Sequence, residues 1–392
     1  MFIQIILATF IGIFAGTLTG LIPGIHINLI GAILISLTTA IYINPLYGII
    51  FITAMAITHT FIDFIPSIFL GCPDTDTELG VLPGHKLLKD KRGFEAIYLS
   101  NKGSIIAIFL IILISIPSIF IIKNIYPFVS KIIPYLLILI SIILILTEKR
   151  KLNALFVILL TGTLGFILTT IEINQPLLPL LTGLFGASNI IISIKNKTII
   201  PKQIITKPKI KLKKPIIASL LSAPICSFLP GMGAGQAALI GNTITKLTQK
   251  QFLVLLGIIN TLVMSFSFIS LYIINKTRTG ASLAINEILP NLEIKHLILI
   301  LIVVLITGII AFYLTNILAK TFSKKLEKIN YKLLGFITLG ILGLIVFLVS
   351  GFLGLIILIV STLTGIYCIS LKVKRTNMMG CLVIPTILFY LI

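Results

Sequence analysis

Charge is scarce in this sequence. Only 11% of its 392 residues are Asp, Glu, Lys or Arg, with 11 acidic residues against 31 basic ones. So little charge excludes an ordinary soluble surface, where about a quarter of residues are charged. Trp is absent, so the interfacial anchoring of a membrane protein falls to tyrosines such as Tyr42, Tyr47, Tyr126, Tyr313 and Tyr331. Cys72, Cys226, Cys368 and Cys381 stand far apart, with no CxxC pair and no His at zinc spacing, and imply neither a disulfide framework nor a structural metal. There is no HExxH, DDxxD or GxSxG. Without a nucleophile and base at useful spacing, no enzyme is expected.

What is there is apolar. Fifty-seven per cent of residues are hydrophobic, in runs of the length an α-helix needs to cross ~30 Å of hydrocarbon. The windows fall near 2–22, 25–43, 46–70, 103–122, 131–147, 153–171, 178–193, 215–229, 232–245, 251–274, 296–319, 333–349, 351–371 and 379–392. The first has no basic leader and no small-residue cleavage site, so it is expected to stay as a membrane segment. The windows at 25–43, 215–229 and 232–245 contain or adjoin Pro-Gly pairs and predict broken or re-entrant helices.

The net charge of +20 would suggest nucleic acid in a soluble chain, but the cations lie in short segments between apolar runs, so no nucleic acid partner is expected. Lys86, Lys89, Lys91 and Arg92 form one cluster; Lys149, Arg150 and Lys151 a second; eight lysines from Lys195 to Lys214 a third; Lys320, Lys324, Lys325 and Lys328 a fourth; Lys372, Lys374 and Arg375 a fifth. The positive-inside rule puts all five in the cytoplasm and the N-terminus outside, in a multi-pass protein of the cell membrane. The 275–295 loop then lies outside while its counterpart at 71–102 lies inside, so the two halves have opposite orientation.

Local matches support that division. Leu21-Ile22-Pro23-Gly24 is echoed by Phe228-Leu229-Pro230-Gly231, and Gly48-Ile49-Ile50 by Gly257-Ile258-Ile259. The expected fold is all-α, a polytopic integral membrane protein of two inverted-topology repeats. Each has a Pro-Gly-broken, re-entrant region followed by about four transmembrane helices. The first repeat covers 1–193, with its broken region at 1–102 and helices at 103–193. A basic linker follows at 194–214, read as a solvated loop, and the second repeat covers 215–392, divided at 295. Inverted repeats with interrupted helices are a plan of secondary transporters, which bind substrate and coupling ion at the interruptions.

The candidate residues follow from that plan. Helices restarting after Pro23-Gly24 and Pro230-Gly231 would aim their N-termini at an anion, with His26, Asn28, Gly233, Gly235 and Gln236 beside them. Thr277 and Arg278 suit a carboxylate or phosphate. His59 and Asp63 lie four residues apart on one face of an apolar span, and Asp74 and Asp76 in a polar break. Ionisable groups at such depth mark ion pathways, so these four are the candidates for ion coupling. No cofactor is expected beyond Na+ as a coupling ion.

The motifs Gly20-Leu21-Ile22-Pro23-Gly24 and Phe228-Leu229-Pro230-Gly231-Met232-Gly233, each leading into a small-residue, apolar helix, resemble those of the large membrane subunit of tripartite tricarboxylate transporters, its archaeal branch above all. Thr58-His59-Thr60 and Leu70-Gly71-Cys72-Pro73-Asp74 stand where that family has Gly-rich segments. The resemblance implies transport of a small carboxylate anion driven by Na+ or H+, with Pro23, Gly24, Pro230, Gly231 and Gly233 at the substrate site. The bilayer and the anion are the expected partners; a homodimer, a small membrane subunit and an extracytoplasmic binding protein are left open. Paired Pro-Gly motifs also occur in proteins similar to polyprenyl-phosphate translocases, which makes a lipid phosphate the rival cargo.

Overall fold

A computed structural model describes residues 2–22, 44–70, 77–195, 201–228, 234–276, 279–325 and 331–391. Among them every regular element is a helix, as a polytopic α-helical membrane protein requires. Among the described residues eight helices are long and apolar enough to cross a bilayer. The chain begins with α1 (Phe2–Leu21) and α2 (Pro45–Ile62), then the short α3 (Phe64–Leu70), α4 (Glu78–Lys89) and the long α5 (Gly93–Leu146). Next come α6 (Lys151–Thr169) and α7 (Leu177–Lys195). The second half holds α8 (Lys213–Phe228), α9 (Ala234–Thr245), α10 (Gln249–Ile274), α11 (Gly280–Ile288), α12 (Ile294–Lys325), α13 (Tyr331–Ser370) and α14 (Gly380–Leu391).

Local chemistry sets the main boundaries. Asn44 caps α2 by accepting from Leu46 N, with Pro45 in the first helical position, where its missing N–H is not needed. A capping box of Thr248 and Gln251 starts α10, and Asn275 in the left-handed conformation (φ 49°) ends it. These are the central spans. In Pro45–Leu70 and in Gln249–Ile274, 94% of the apolar window is enclosed by protein, against 28% in Gly93–Leu146. The outer helices instead turn side chains such as Phe109, Leu113, Ile116 and Phe352 outward, as a lipid-facing surface does.

Close packing comes from small residues, because lipid tails offer no hydrophobic drive for helices to associate. A methyl placed on Gly12 would come 2.6 Å from Phe51 O and one on Gly20 2.9 Å from Ile62 Cβ, so α1 lies directly on α2 and runs in the same direction. The crossing of α5 on α10 is equally intimate: methyls on Gly103 and Gly257 would overlap Val254 O and Ser100 O.

Two windows expected as separate spans, 103–122 and 131–147, form one unbroken helix. A straight helix of that length would be about 80 Å long. Both of its ends nevertheless meet one basic surface. Gly93 N donates to Gln203 in the linker, while Glu148, just past the other end, accepts from Lys374 N and Asn377. The adjoining Arg375 in turn influences His85 on α4. The helix therefore bends strongly, in the stretch carrying Pro117, Pro127 and Pro134. A proline deletes one hydrogen bond and bends a helix without ending it. In α13 the chain does break, at Gly351 (φ 67°, ψ −164°), and a methyl on Gly354 would lie 3.4 Å from Val346, eight residues earlier.

The linker differs from expectation. Its described part is pinned rather than freely solvated. From Thr206 to Lys213 side chains alternate between partly buried and exposed, with Ile210 and Leu212 against the core and Lys207, Lys209 and Lys211 outward. Ile204 N donates to Lys91 O, and Gln251 donates to Lys211 O. Glu95, fully buried, accepts from Arg92 at 2.8 Å and Thr206 at 3.0 Å and pairs with Lys250 Nζ at 2.9 Å. One carboxylate thus joins the start of α5, the linker and the start of α10.

Candidate functional site

The first central span is interrupted at Asp63. Proline at position 66 has no N–H to return to the Ile62 carbonyl, so helix α2 ends and α3 begins one residue later. Asp63 N still donates to His59 O, and Asp63 O accepts from Ser67 N, which keeps the two pieces nearly collinear. The interruption holds a carboxylate that is 5% exposed.

From the second half, Asn260 on α10 donates to Asp63 Oδ2 at 2.7 Å and lies 3.3 Å from Thr60 O. Beside it, the Thr60 and Thr261 hydroxyls are 3.2 Å apart. One turn earlier on α2, His59 is 3% exposed, and its Nδ1 is 3.1 Å from the Thr19 hydroxyl of α1. Three helices thus converge on a carboxylate, an imidazole, an amide and three hydroxyls inside an apolar shell. Ionisable and polar groups gathered at such depth are of the kind that mark ion and proton pathways.

Both flanks repeat one device. Ser67 on α3 hydrogen-bonds Thr77, which precedes α4, and Ser267 on α10 lies 3.0 Å from Thr279, which caps α11. Each short helix packs on the other half's central span, α4 on α10 and α11 on α2. The helix α9 packs on α8 and α10, and its first turn carries Gly235 and Gln236, both buried. A methyl on Gly241 would lie 3.0 Å from Ser222 Oγ, so α8 and α9 lie side by side, with Pro230-Gly231 in the sequence between them. At about 24 and 18 Å, neither crosses the bilayer alone.

Of the candidate residues, His59, Asp63, Gly235 and Gln236 are described, and all four are buried. Pro23, Gly24, His26, Asn28, Asp74, Asp76, Pro230, Gly231, Gly233, Thr277 and Arg278 lie outside the described residues. The sequence reading passed over Asn260, whose signal is a lone amide within the run 251–274. It also passed over Glu95 and Pro66, the latter three residues after a buried acid. Among the described residues no group of three His, Cys, Asp or Glu side chains could hold a metal ion. Outside the spans, burial pushes the His85 imidazole below its usual range, and the charges of Lys89 and Arg375 add to that.

Residues 6–380 match the model of the tripartite tricarboxylate transporter TctA family. The chain is also 33% identical over 356 residues to the uncharacterized protein MJ1079 of Methanocaldococcus jannaschii, an alignment covering 87% of this chain and 88% of that one. No solved structure matches.

Proposed function

Because the chain belongs to the tripartite tricarboxylate transporter TctA family, we propose that it moves a small carboxylate anion across the cytoplasmic membrane, coupled to Na+ or H+. The observation that carries this reading is the contact of Asp63 with Asn260 at a helix break between two enclosed spans. A buried carboxylate at such a joint is where a cation can bind and alter how the two spans pack. The first turn of α9, with Gly235 and Gln236, supplies N–H groups and positive dipole for the anion.

The two halves act as inverted repeats, 1–193 and 215–392, joined by the linker. Supporting this are the paired Ser67–Thr77 and Ser267–Thr279 contacts and the exchange of α4 and α11 onto opposite spans. In alternating access one repeat rocks against the other about the fixed site. The chain works with a small membrane subunit and an extracytoplasmic binding protein, as a tripartite system requires. The enclosure of both central spans favours a soluble anion over a polyprenyl phosphate, which needs a groove open to the bilayer.

Uptake into proteoliposomes tests the reading. A panel of di- and tricarboxylates is offered under an inward Na+ gradient, a proton gradient, or neither, with and without a co-expressed binding protein. Gradient-driven accumulation of one class is expected. If no carboxylate accumulates under any gradient, with or without the binding protein, the reading is wrong.

A further inference from the structure

The helix α7 carries a buried amide that nothing in the fold accounts for. Asn189 is 2% exposed, and neither its Nδ2 nor its Oδ1 has a hydrogen-bond partner. An Asn can make up to four hydrogen bonds, and an amide left bare in an apolar interior is strongly disfavoured. Native structures keep such groups where a water, ion or ligand completes them.

The surroundings identify the ligand. Just before Asn189, residues Thr182–Ala187 are wound as a π-helix, a local widening found frequently at functional sites. Methyls on Gly183 and Gly365 would each come 2.5 Å from the facing helix, at Ser361 Cβ and Leu184 O, so the face with Gly183, Leu184 and Ser188 packs on α13. Asn189 belongs to another face. Ser193, four residues on and therefore on the same side, donates its hydroxyl to Leu70 O at 3.1 Å. Asn189 thus faces the region of the C-terminal end of α3, one helical turn from Ser193. Helix C-termini carry partial negative charge, and amide, hydroxyl and carbonyl oxygens are donors that suit a hard monovalent cation. Membrane transporters hold Na+ with such helix ends.

We infer that Asn189, Ser193 Oγ and the Leu70 carbonyl form a sodium site at the far end of α3 from Asp63, about 10 Å along the helix. The inference rests on the cation-coupled reading above. The amide turns so that Oδ1 faces the ion.

The test is direct binding of radiolabelled Na+ to the purified full chain in detergent, with choline or K+ as the control ion and no carboxylate present. Saturable Na+ binding is expected in the wild type. Asn189→Ala should weaken it at least 10-fold and Ser193→Ala less, while Asn189→Asp, which adds charge to the same oxygen, should retain or tighten it. If Asn189→Ala fails to fold, Asn189→Asp and Ser193→Ala decide alone. The site is overturned if these variants bind Na+ like the wild type, if Asn189→Asp abolishes binding in a folded protein, or if the wild type binds none. It is also overturned if the Asn189 variants shift carboxylate affinity and leave Na+ affinity unchanged. Proton-driven carboxylate uptake by a chain that binds no Na+ would overturn this site and leave the transport reading standing. Intact Na+ binding with no uptake of any carboxylate would do the reverse.

Discussion

The Asn260 amide donates to Asp63 Oδ2 across 2.7 Å, tying the break in the first central span to the middle of the second. Both residues are at most 5% exposed, so the contact is made away from water. Asn260→Leu would strip the carboxylate of a charge-assisted hydrogen bond and should cost about 1.5–3 kcal/mol of stability. Asp63→Asn keeps a neutral pair of similar shape. It should retain most of the thermal stability while losing gradient-driven uptake. Thermal melts of the detergent-solubilised variants beside uptake assays separate the two effects. Full uptake by Asp63→Asn would remove Asp63 from the coupling step.

The crossing of α5 and α10 sets a second expectation. At Gly103 and Gly257 an added methyl would overlap a backbone carbonyl, which cannot swing aside as a side chain can. Gly103→Ala and Gly257→Ala must therefore push the helices apart, at a cost of about 1–3 kcal/mol or more. At Gly340 and Gly343 on α13 nothing lies within 4 Å of the added methyl. Alanine there should be neutral, or stabilising by about 0.5–1 kcal/mol through helix propensity. Melting temperatures of the four variants test the contrast.

The sequence showed most plainly what the bilayer demands, namely apolar runs of crossing length and lysines gathered between them. His59 and Asp63 stood out because ionisable groups are rare at that depth. Asn260 did not, because a single amide in an apolar run gives no sign of a partner 197 residues away. The break at Asp63 was written in Pro66, yet the unbroken hydrophobicity of 46–70 masked it. In the linker eight lysines outweighed a subtler pattern. Gln203, Thr206, Ile210 and Leu212 turn inward, and their partners belong to segments distant in sequence.

Glu95 holds the linker against the helices it connects. Arg92 and Lys250, each 38% exposed, stay partly hydrated, so the pairs are worth less than their short distances suggest. The loss on Glu95→Ala is nevertheless local. Without the carboxylate, Thr206 and Lys250 have nothing to close on, and the extended stretch 201–212 should detach from the start of α5. Limited trypsin digestion should then cut after Lys209 or Lys211 several-fold faster than in the wild type. Unchanged cleavage would mean that Gln203 and Ile204 alone hold the strap.

The environment of His85 makes stability depend on pH. Burial lowers its pKa in the folded protein, and the positive charges of Lys89 and Arg375 lower it further. Its Nε2 is buried without a partner, so the neutral ring is the form that fits. In the unfolded chain the ring titrates near the ordinary value of about 6.5. Between that value and the lower folded-state one, the unfolded chain binds more protons, so stability rises with pH across the window. Acidification from pH 7.5 should thus leave this contribution intact until about pH 6.5 and then remove it progressively as pH falls toward the folded-state value. The slope can reach at most about 1.4 kcal/mol per pH unit, the limit for one proton. His85→Gln, which cannot take up the proton, should flatten that part of the melting profile. An unchanged profile in the variant would place the acid sensitivity on another group.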